Sequence, residues 1–303
     1  MIVHLIDGTY ELFRHFYGLR RFTKGKDRPM GAVVGVLNGV LEMIEQGAIC
    51  LGVATDHVIE SFRNDLWDGY KTGEGIEPAL HAQFQPLEDA LAAMGVTLWP
   101  MVELEADDAL ASAAALAAKN RDVRKVCIWT PDKDLAQCVR GDRIVQVDRK
   151  SHVIRDAEAV RAKFGVIPER IPDYLALVGD ASDGYPGISG IGPKGAAGLI
   201  DRFGRIEDFP PEILGERKAP ALLFKRLATL KDDAPLFSDL GGLKWQGARK
   251  DFAAVAAKLG DPRLIERAEM ALHSPKALGL HSPTAIALKK RSTKSAKQPQ
   301  KPF

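Results

Sequence analysis

Three short apolar runs in this chain each end on aspartates. Ile2 to Ile6 runs into Asp7, Ala48 to Thr55 into Asp56, and Val126 to Thr130 through Pro131 into Asp132 and Asp134. Runs of this length and partly β-branched make-up read as buried strands, and Ile144 to Val147 reads as a fourth. Between them, Met30 to Gln46 and Ala79 to Met94 carry apolar residues at helical spacing, and Ala106 to Lys119 is an Ala-rich helix. Such alternation predicts an α/β fold, a mostly parallel sheet with helices on both faces. Ligand sites in open parallel sheets form beyond the carboxyl ends of the strands, which is where these aspartates fall.

At 303 residues the chain has room for one α/β core and a smaller second domain. From about Ile171 the strand signal stops, and short helices punctuated by Gly and Pro continue to about Leu259. The division expected is an α/β unit over 1–165, a helical unit over 166–259 and a partly helical extension over 260–288. The remainder, 289–303, should be a disordered basic tail. Its Lys289, Lys290, Arg291, Lys294, Lys297 and Lys301 have no acid among them and should add non-specific affinity for a polyanion. Apolar residues make up 46% of the chain, enough for a folded body. Cys50, Cys127 and Cys138 lack the spacing of a zinc site and are odd in number for a disulfide framework, so a reduced, cytoplasmic protein is expected. His4 and Asp7 interrupt the only N-terminal run that could begin a signal peptide. The small-apolar stretch Ala109 to Ala118 is far shorter than the roughly 20 residues of a membrane span, so no membrane association is expected.

Two further acidic groups join the strand ends. Glu105-Ala106-Asp107-Asp108 opens the Ala-rich helix, with Glu105 and Asp108 on one face of it. Asp180 and Asp183 lie in a glycine-rich turn of the helical unit. Any one of these acids has an ordinary structural reading, at a helix N-terminus or in a turn. Gathered at one edge they would repel one another and raise their pKa values unless a cation compensates. Hard carboxylate ligands suit Mg²⁺ or Mn²⁺, and two such ions about 4 Å apart can activate water and stabilise a leaving oxygen at a phosphodiester. The formal charge is +2, and setting the nine acids apart leaves a strongly basic remainder, which suits a polyanion held over cations.

The ordered motifs are specific. Ile6-Asp7-Gly8, Phe62-Arg63 with Tyr70-Lys71, Glu105-Ala106-Asp107-Asp108, Asp132-Lys133-Asp134 with Ala136-Gln137, and Gly179-Asp180 with Ser182-Asp183 follow one another along the chain. In them the chain resembles the 5′ nuclease domain of bacterial DNA polymerase I and the stand-alone bacterial flap endonucleases, over about residues 1–255. The resemblance implies a PIN-like nuclease domain and two metal ions. Asp7, Asp56, Glu105 and Asp107 would serve the first, with Asp108 and Asp132 beside them, while Asp134, Asp180 and Asp183 would serve the second. It also implies catalytic roles for Arg14, Arg63 and Lys71 next to the scissile phosphate, base stacking on Tyr70, and an arch over the single strand near 62–85. The chain departs from the pattern at Gly73-Glu74-Gly75, where relatives carry a cation, at Asp183-Gly184-Tyr185-Pro186, where Asn and Ile are common, and at Gly195.

The segment 187–195 resembles the hairpin of a helix-hairpin-helix element. Gly187, Gly190 and Gly192 let backbone amides approach a phosphate, Pro193 suits the first turn of a helix, and Lys194 adds charge. By resemblance a K⁺ ion sits on the hairpin carbonyls. Gly190, Gly192 and Gly195 also satisfy G-x-G-x-x-G, but no strand precedes them, which argues against a dinucleotide site. The expected function is a metal-dependent 5′ to 3′ exonuclease and 5′-flap endonuclease, a hydrolase removing RNA primers or flaps in replication and repair. Its partners would be DNA with a 5′ end and RNA-DNA primers. The rival readings are a structure-specific binding protein with weak catalysis and a small ribonuclease on a similar sheet. All nine acids speak against the first, and the hairpin unit against the second.

Overall fold

The structure is a computed structural model that describes residues 1–24, 28–151 and 153–273. Its N-terminal unit runs β1 (Ile2–Asp7), α1 (Gly8–Thr23), α2 (Gly31–Glu45), β2 (Leu51–Asp56), α3 (Pro78–His81), α4 (Phe84–Ala93), β3 (Thr97–Met101), α5 (Ala106–Lys119), β4 (Lys125–Trp129), β5 (Ile144–Asp148) and β6 (Val153–Arg155). The strands form one six-stranded sheet in the order β3-β2-β1-β4-β5-β6. Every pairing is parallel except that of β5 with β6. Strand alternation sends Ile6, Val53, Trp129, Val145 and Val147 to one face, under α1, α2 and α4. It sends Val3, Leu5, Ala54, Val126 and Ile128 to the other, under α5. The α/β sheet with helices on both faces is the fold expected.

Three elements lie outside the sequence expectation. β3 was hidden by Pro100, which is tolerated because β3 is an edge strand. Gly52 makes room for it: a Cβ there would lie 2.3 Å from the Trp99 ring, so the indole lies directly on β2. β6 is only three residues long. α1 buries Leu12 and Phe16 but presents enough charge to mask its apolar stripe. The helix expected over Ala79 to Met94 is broken into α3 and α4. Pro86 has no N–H for the fourth carbonyl back, and Gln83, at the break, turns its side-chain oxygen to the N–H groups of Ala32 and Val33, 3.2 and 3.3 Å away. That bond caps α2, whose own N-cap residue, Met30, supplies none.

The second unit continues with α6 (Ala157–Phe164), α7 (Ile171–Val178), α8 (Pro193–Phe203), α9 (Pro211–Leu214) and α10 (Lys218–Ala228). Its own core includes Val160, Leu175, Ile200, Phe209, Phe224 and Leu227. The expected span of 166–259 is too long at its end. Beyond α10 the chain returns to the sheet, where Trp245 donates from its backbone to Ile49 and from its indole to Met94, both at 2.8 Å. α11 (Phe252–Lys258) and α12 (Arg263–Leu272) then complete the core over α2 and α4. α12 accounts for the helical part of the expected extension, and the basic tail lies outside the described residues. Among those residues no helix is long and apolar enough to cross a membrane.

The stretch expected to form an arch, 62–85, is not free-standing. Between β2 and α3 the described chain has turns but no helix. Phe62 donates to Glu103 and Lys71 to Asp183, both at 3.0 Å through the backbone, and Trp67 packs edge-on against Phe224. These bonds lay residues 62–71 down across both units.

Candidate metal centre

β1, β2 and β4 are neighbours, and all three deliver their carboxylates to the same edge of the sheet. β1 lies where the strand order reverses direction, the position where parallel sheets open a crevice. Asp7 ends β1 and caps α1: one oxygen accepts from Tyr10 N–H at 2.8 Å and the other from the Thr130 hydroxyl at 2.9 Å. Burial, with Asp56 and Asp132 adding to it, pushes its pKa up to about 7. Gly8 is required beside it, because a Cβ would come within 2.7 to 2.9 Å of Val53, Thr55 and the Ala54 carbonyl. Asp56 ends β2 and accepts from Ala106 N–H at 2.8 Å, which binds it to the start of α5. Burial raises its pKa as well.

Glu105 and Asp108 form a capping box at the start of α5. Asp107, between them, turns toward the strand ends: burial first, then Asp132 and Asp7, raise its pKa well above the carboxylate range. Asp132 is exposed and accepts from Asp134 N–H at 3.0 Å. Asp134 meets Asp180 and Asp183, which the loop between α7 and α8 carries. One oxygen from each of the three lies within 4.8 Å of the others, and all three residues are buried. Burial, Asp132, Asp183 and Asp180, in that order, raise the Asp134 pKa well above its usual value. Its Oδ1 is buried and has no hydrogen-bond partner. An ionisable oxygen without a donor, amid carboxylates that resist ionising together, fits a hard divalent cation.

Two lysines answer this charge. Lys71 Nζ bridges Glu105 at 2.7 Å and Asp183 at 3.0 Å, joining the acids of the two units. Lys133 Nζ lies 2.7 Å from Asp180. Arg14, on α1, pairs with the buried Glu11 and stays partly exposed. Gly187, Gly190 and Gly192 fall in the loop that leads into α8, the first two with φ of 70° and 83°. Gly187 packs back to back with Gly179, where a Cβ would meet backbone at 2.4 Å. Gly190, Gly192 and Lys194 face solvent. The loop follows helix α7 and not a strand, so the dinucleotide fingerprint has no context here.

Three expected site residues are elsewhere engaged. Arg63 is 1% exposed. Its guanidinium donates to Glu105, twice to Asp108, and to the carbonyls of Leu227 and Thr229. All five of its N–H groups are thereby used, leaving none for a phosphate. Asp108 accepts from Arg63 through both oxygens and also from the backbone of Glu105 and Lys231. Four bonds take up the lone pairs a carboxylate has to offer, so Asp108 braces α5. Tyr70 is 4% exposed within the core of the second unit and offers no ring face to a base.

Sequence reasoning missed Glu88, which is buried on α4 and accepts from the Thr55 hydroxyl at 2.8 Å. It also lies 2.8 Å from His57 Nδ1, beside the Asp56 strand end. Glu88 shares the buried face of α4 with Phe84, Leu87 and Leu91, whereas its neighbour Asp89 does not.

Comparison with known proteins bears on this geometry. Residues 2–165 match the family profile described as 5′-3′ exonuclease, N-terminal resolvase-like domain, and residues 166–251 the one described as 5′-3′ exonuclease, C-terminal SAM fold. The chain belongs to the 5′-3′ exonuclease family. A family relative named 5′-3′ exonuclease, from Buchnera aphidicola, is 32% identical over 241 residues, covering 79% of this chain and 78% of its own. DNA polymerase I of Pseudomonas aeruginosa is 35% identical over 252 residues, covering 77% of this chain but only 27% of the polymerase. The chain thus spans about a quarter of that relative's length. Among solved structures, T5 5′-exonuclease with bound divalent zinc superposes with a TM-score of 0.59 at 18% identity, over 90% of this chain and 98% of that one. The T5 flap endonuclease solved with DNA and metal ions gives 0.58 at 19% identity, over 92% and 100%. These two likenesses establish the shared fold.

Proposed function

We propose that this chain is a 5′ to 3′ exonuclease and 5′-flap endonuclease that depends on two Mg²⁺ or Mn²⁺ ions. The observation that carries the reading is the meeting of strand-end acids Asp7 and Asp56 with the Asp134, Asp180 and Asp183 cluster along one edge. Asp7, Asp56, Glu105, Asp107 and Asp132 would hold one ion, and Asp134, Asp180 and Asp183 the other. When bound, such ions lower the pKa of a water and stabilise charge on the phosphate and leaving oxygen.

The chain's own residues bind and orient the strand. Lys71, 29% exposed, holds a positive charge between the two acid sets and presents it to the scissile phosphate. Arg14 does the same from α1, with buried Glu11 fixing its direction. Backbone amides around Gly187, Gly190 and Gly192, with Lys194, grip a duplex phosphate farther along, and a K⁺ ion on the loop carbonyls completes that grip. Contacts of this kind read backbone and not base sequence, so binding is salt-dependent. The substrates are DNA with a 5′ end and RNA-DNA primers, and the cellular role is primer or flap removal in replication and repair.

The test is cleavage of 5′-flap, nicked and single-stranded substrates by the purified protein with Mg²⁺, Mn²⁺ or EDTA. Cutting near the 5′ end of flap or nick, abolished by EDTA, is expected. No cutting with either ion would overturn the assignment.

A further inference from the structure

The loop that carries Asp180 and Asp183 also carries Tyr185. Tyr185 is 1% exposed. Its ring stacks on Phe224 with centroids 5.7 Å apart and planes 24° from parallel. Its backbone exchanges both hydrogen bonds with Asp180, at 2.8 and 3.1 Å. Ring and backbone are therefore fixed, yet the hydroxyl has no hydrogen-bond partner. A buried phenol normally finds one, and leaving it without costs stability.

A second orphan, the Oδ1 of Asp134, belongs to the same three-carboxylate cluster as Asp180. After burial, Asp134 is the largest of the influences that push the phenol pKa up, ahead of Asp183, Asp180 and Asp132. The backbone pairing with Asp180 holds Tyr185 against the three-carboxylate cluster of Asp134, Asp180 and Asp183. One unmatched donor and one unmatched acceptor, both buried, flank the same cluster without bonding to each other.

We propose that Tyr185 is a positioning residue for the cation held by Asp134, Asp180 and Asp183, its hydroxyl and Asp134 Oδ1 sharing one ordered water. This rests on the metal reading above. Hard cations of this class keep several waters, and a buried water needs two to four polar partners. The phenol can donate to that water or accept from it, whereas an aliphatic side chain can do neither. Partners outside the ligand shell fix ligand direction and tune affinity, commonly by about 10- to 100-fold.

Tyr185→Phe keeps the stack on Phe224 and removes only the oxygen. Mn²⁺ binding to the metal-free full chain can be followed by calorimetry and by the electron paramagnetic resonance signal of free Mn²⁺, with thermal melts in EDTA and in Mn²⁺. The variant should bind one of its two Mn²⁺ ions roughly tenfold less tightly. Its Tm in EDTA should equal or exceed wild type, and its gain on adding Mn²⁺ should shrink. Two Mn²⁺ ions bound with wild-type affinities by the variant would overturn the role of Tyr185 alone, as would a fall in Tm in EDTA as large as that in Mn²⁺. Wild-type protein that binds no Mn²⁺, or Asp180→Asn protein with undiminished affinity, would overturn the metal reading and this proposal with it.

Discussion

Arg63 and Asp108 face each other through two parallel hydrogen bonds, Nη1 to Oδ2 and Nη2 to Oδ1, each 2.8 Å long and closed off from solvent. The remaining guanidinium donors reach Glu105 and the last carbonyls around α10, so the pair clamps α5, the 62–71 segment and the second unit together. Removing one partner of a buried pair strands the other charge. Asp108→Ala should therefore cost about 3–5 kcal/mol in denaturant unfolding of the metal-free protein. Wild-type stability in that variant would rule the clamp out.

Asp134→Ala should behave in the opposite way. Its carboxylate lies buried among like charges with one oxygen unmatched, so without a cation it opposes folding. In EDTA at pH 8 the variant should be at least as stable as wild type. Cleavage of a flap substrate in Mg²⁺ should fall by several orders of magnitude while DNA binding persists. A variant that cut at the wild-type rate would remove Asp134 from the ligand set.

The raised pKa of Asp7 gives a pH signature with a definite sign. Folding lifts it from an ordinary carboxylate value to about 7, so between roughly pH 4 and pH 7 the folded state holds a proton that the unfolded state has released. Its unfavourable contribution is absent below that window and complete above it. His4 and His15 work the other way, each lowered to about 4 with burial as the first cause, so the total profile mixes both effects. The difference between Asp7→Asn and wild type isolates the acid. In EDTA the variant should gain Tm at pH 8, the gain should vanish near pH 4, and Mn²⁺ should reverse it at pH 8. A pH-independent difference would mean that Asp7 does not titrate in this range.

What could be read before folding divides along a physical line. Asp7, Asp56 and Asp134 were legible because a parallel sheet brings every strand end to one edge, whatever the details of packing. Arg63, Tyr70 and Asp108 carry the same motif letters, but their sides depend on contacts with residues far along the chain, such as Leu227 and Lys231. No local pattern contains that information. β3 was missed because its apolar run is short and broken by Pro100, and its burial under Phe237 is again a distant contact. Glu88 was passed over because the adjacent acids Glu88 and Asp89 read alike as surface residues until the Glu88 partners Thr55 and His57 are known.

Glu74 supplies the last prediction. It is exposed, just beyond Lys71, in a short turn where Gly73 N–H donates to Glu60 at 2.9 Å. Lys71 reaches into the acid cluster, so a 5′ strand leaving the site past Lys71 would run close to this turn. An acid within a Debye length of several phosphates, roughly 8 Å at physiological salt, repels them. Glu74→Arg should lower KM for a 5′-flap substrate by a few-fold at low salt, the modest size expected of one exposed charge. The gain should fade as salt rises, because screening removes both the repulsion and its replacement. A nicked substrate with no 5′ overhang should respond less, since it has no single strand to pass the turn. The comparison needs both substrates at two salt concentrations, with kcat read separately. Equal improvement on flap and nick, or none on either, would take the strand path away from Glu74 and route the 5′ end along another side of Lys71.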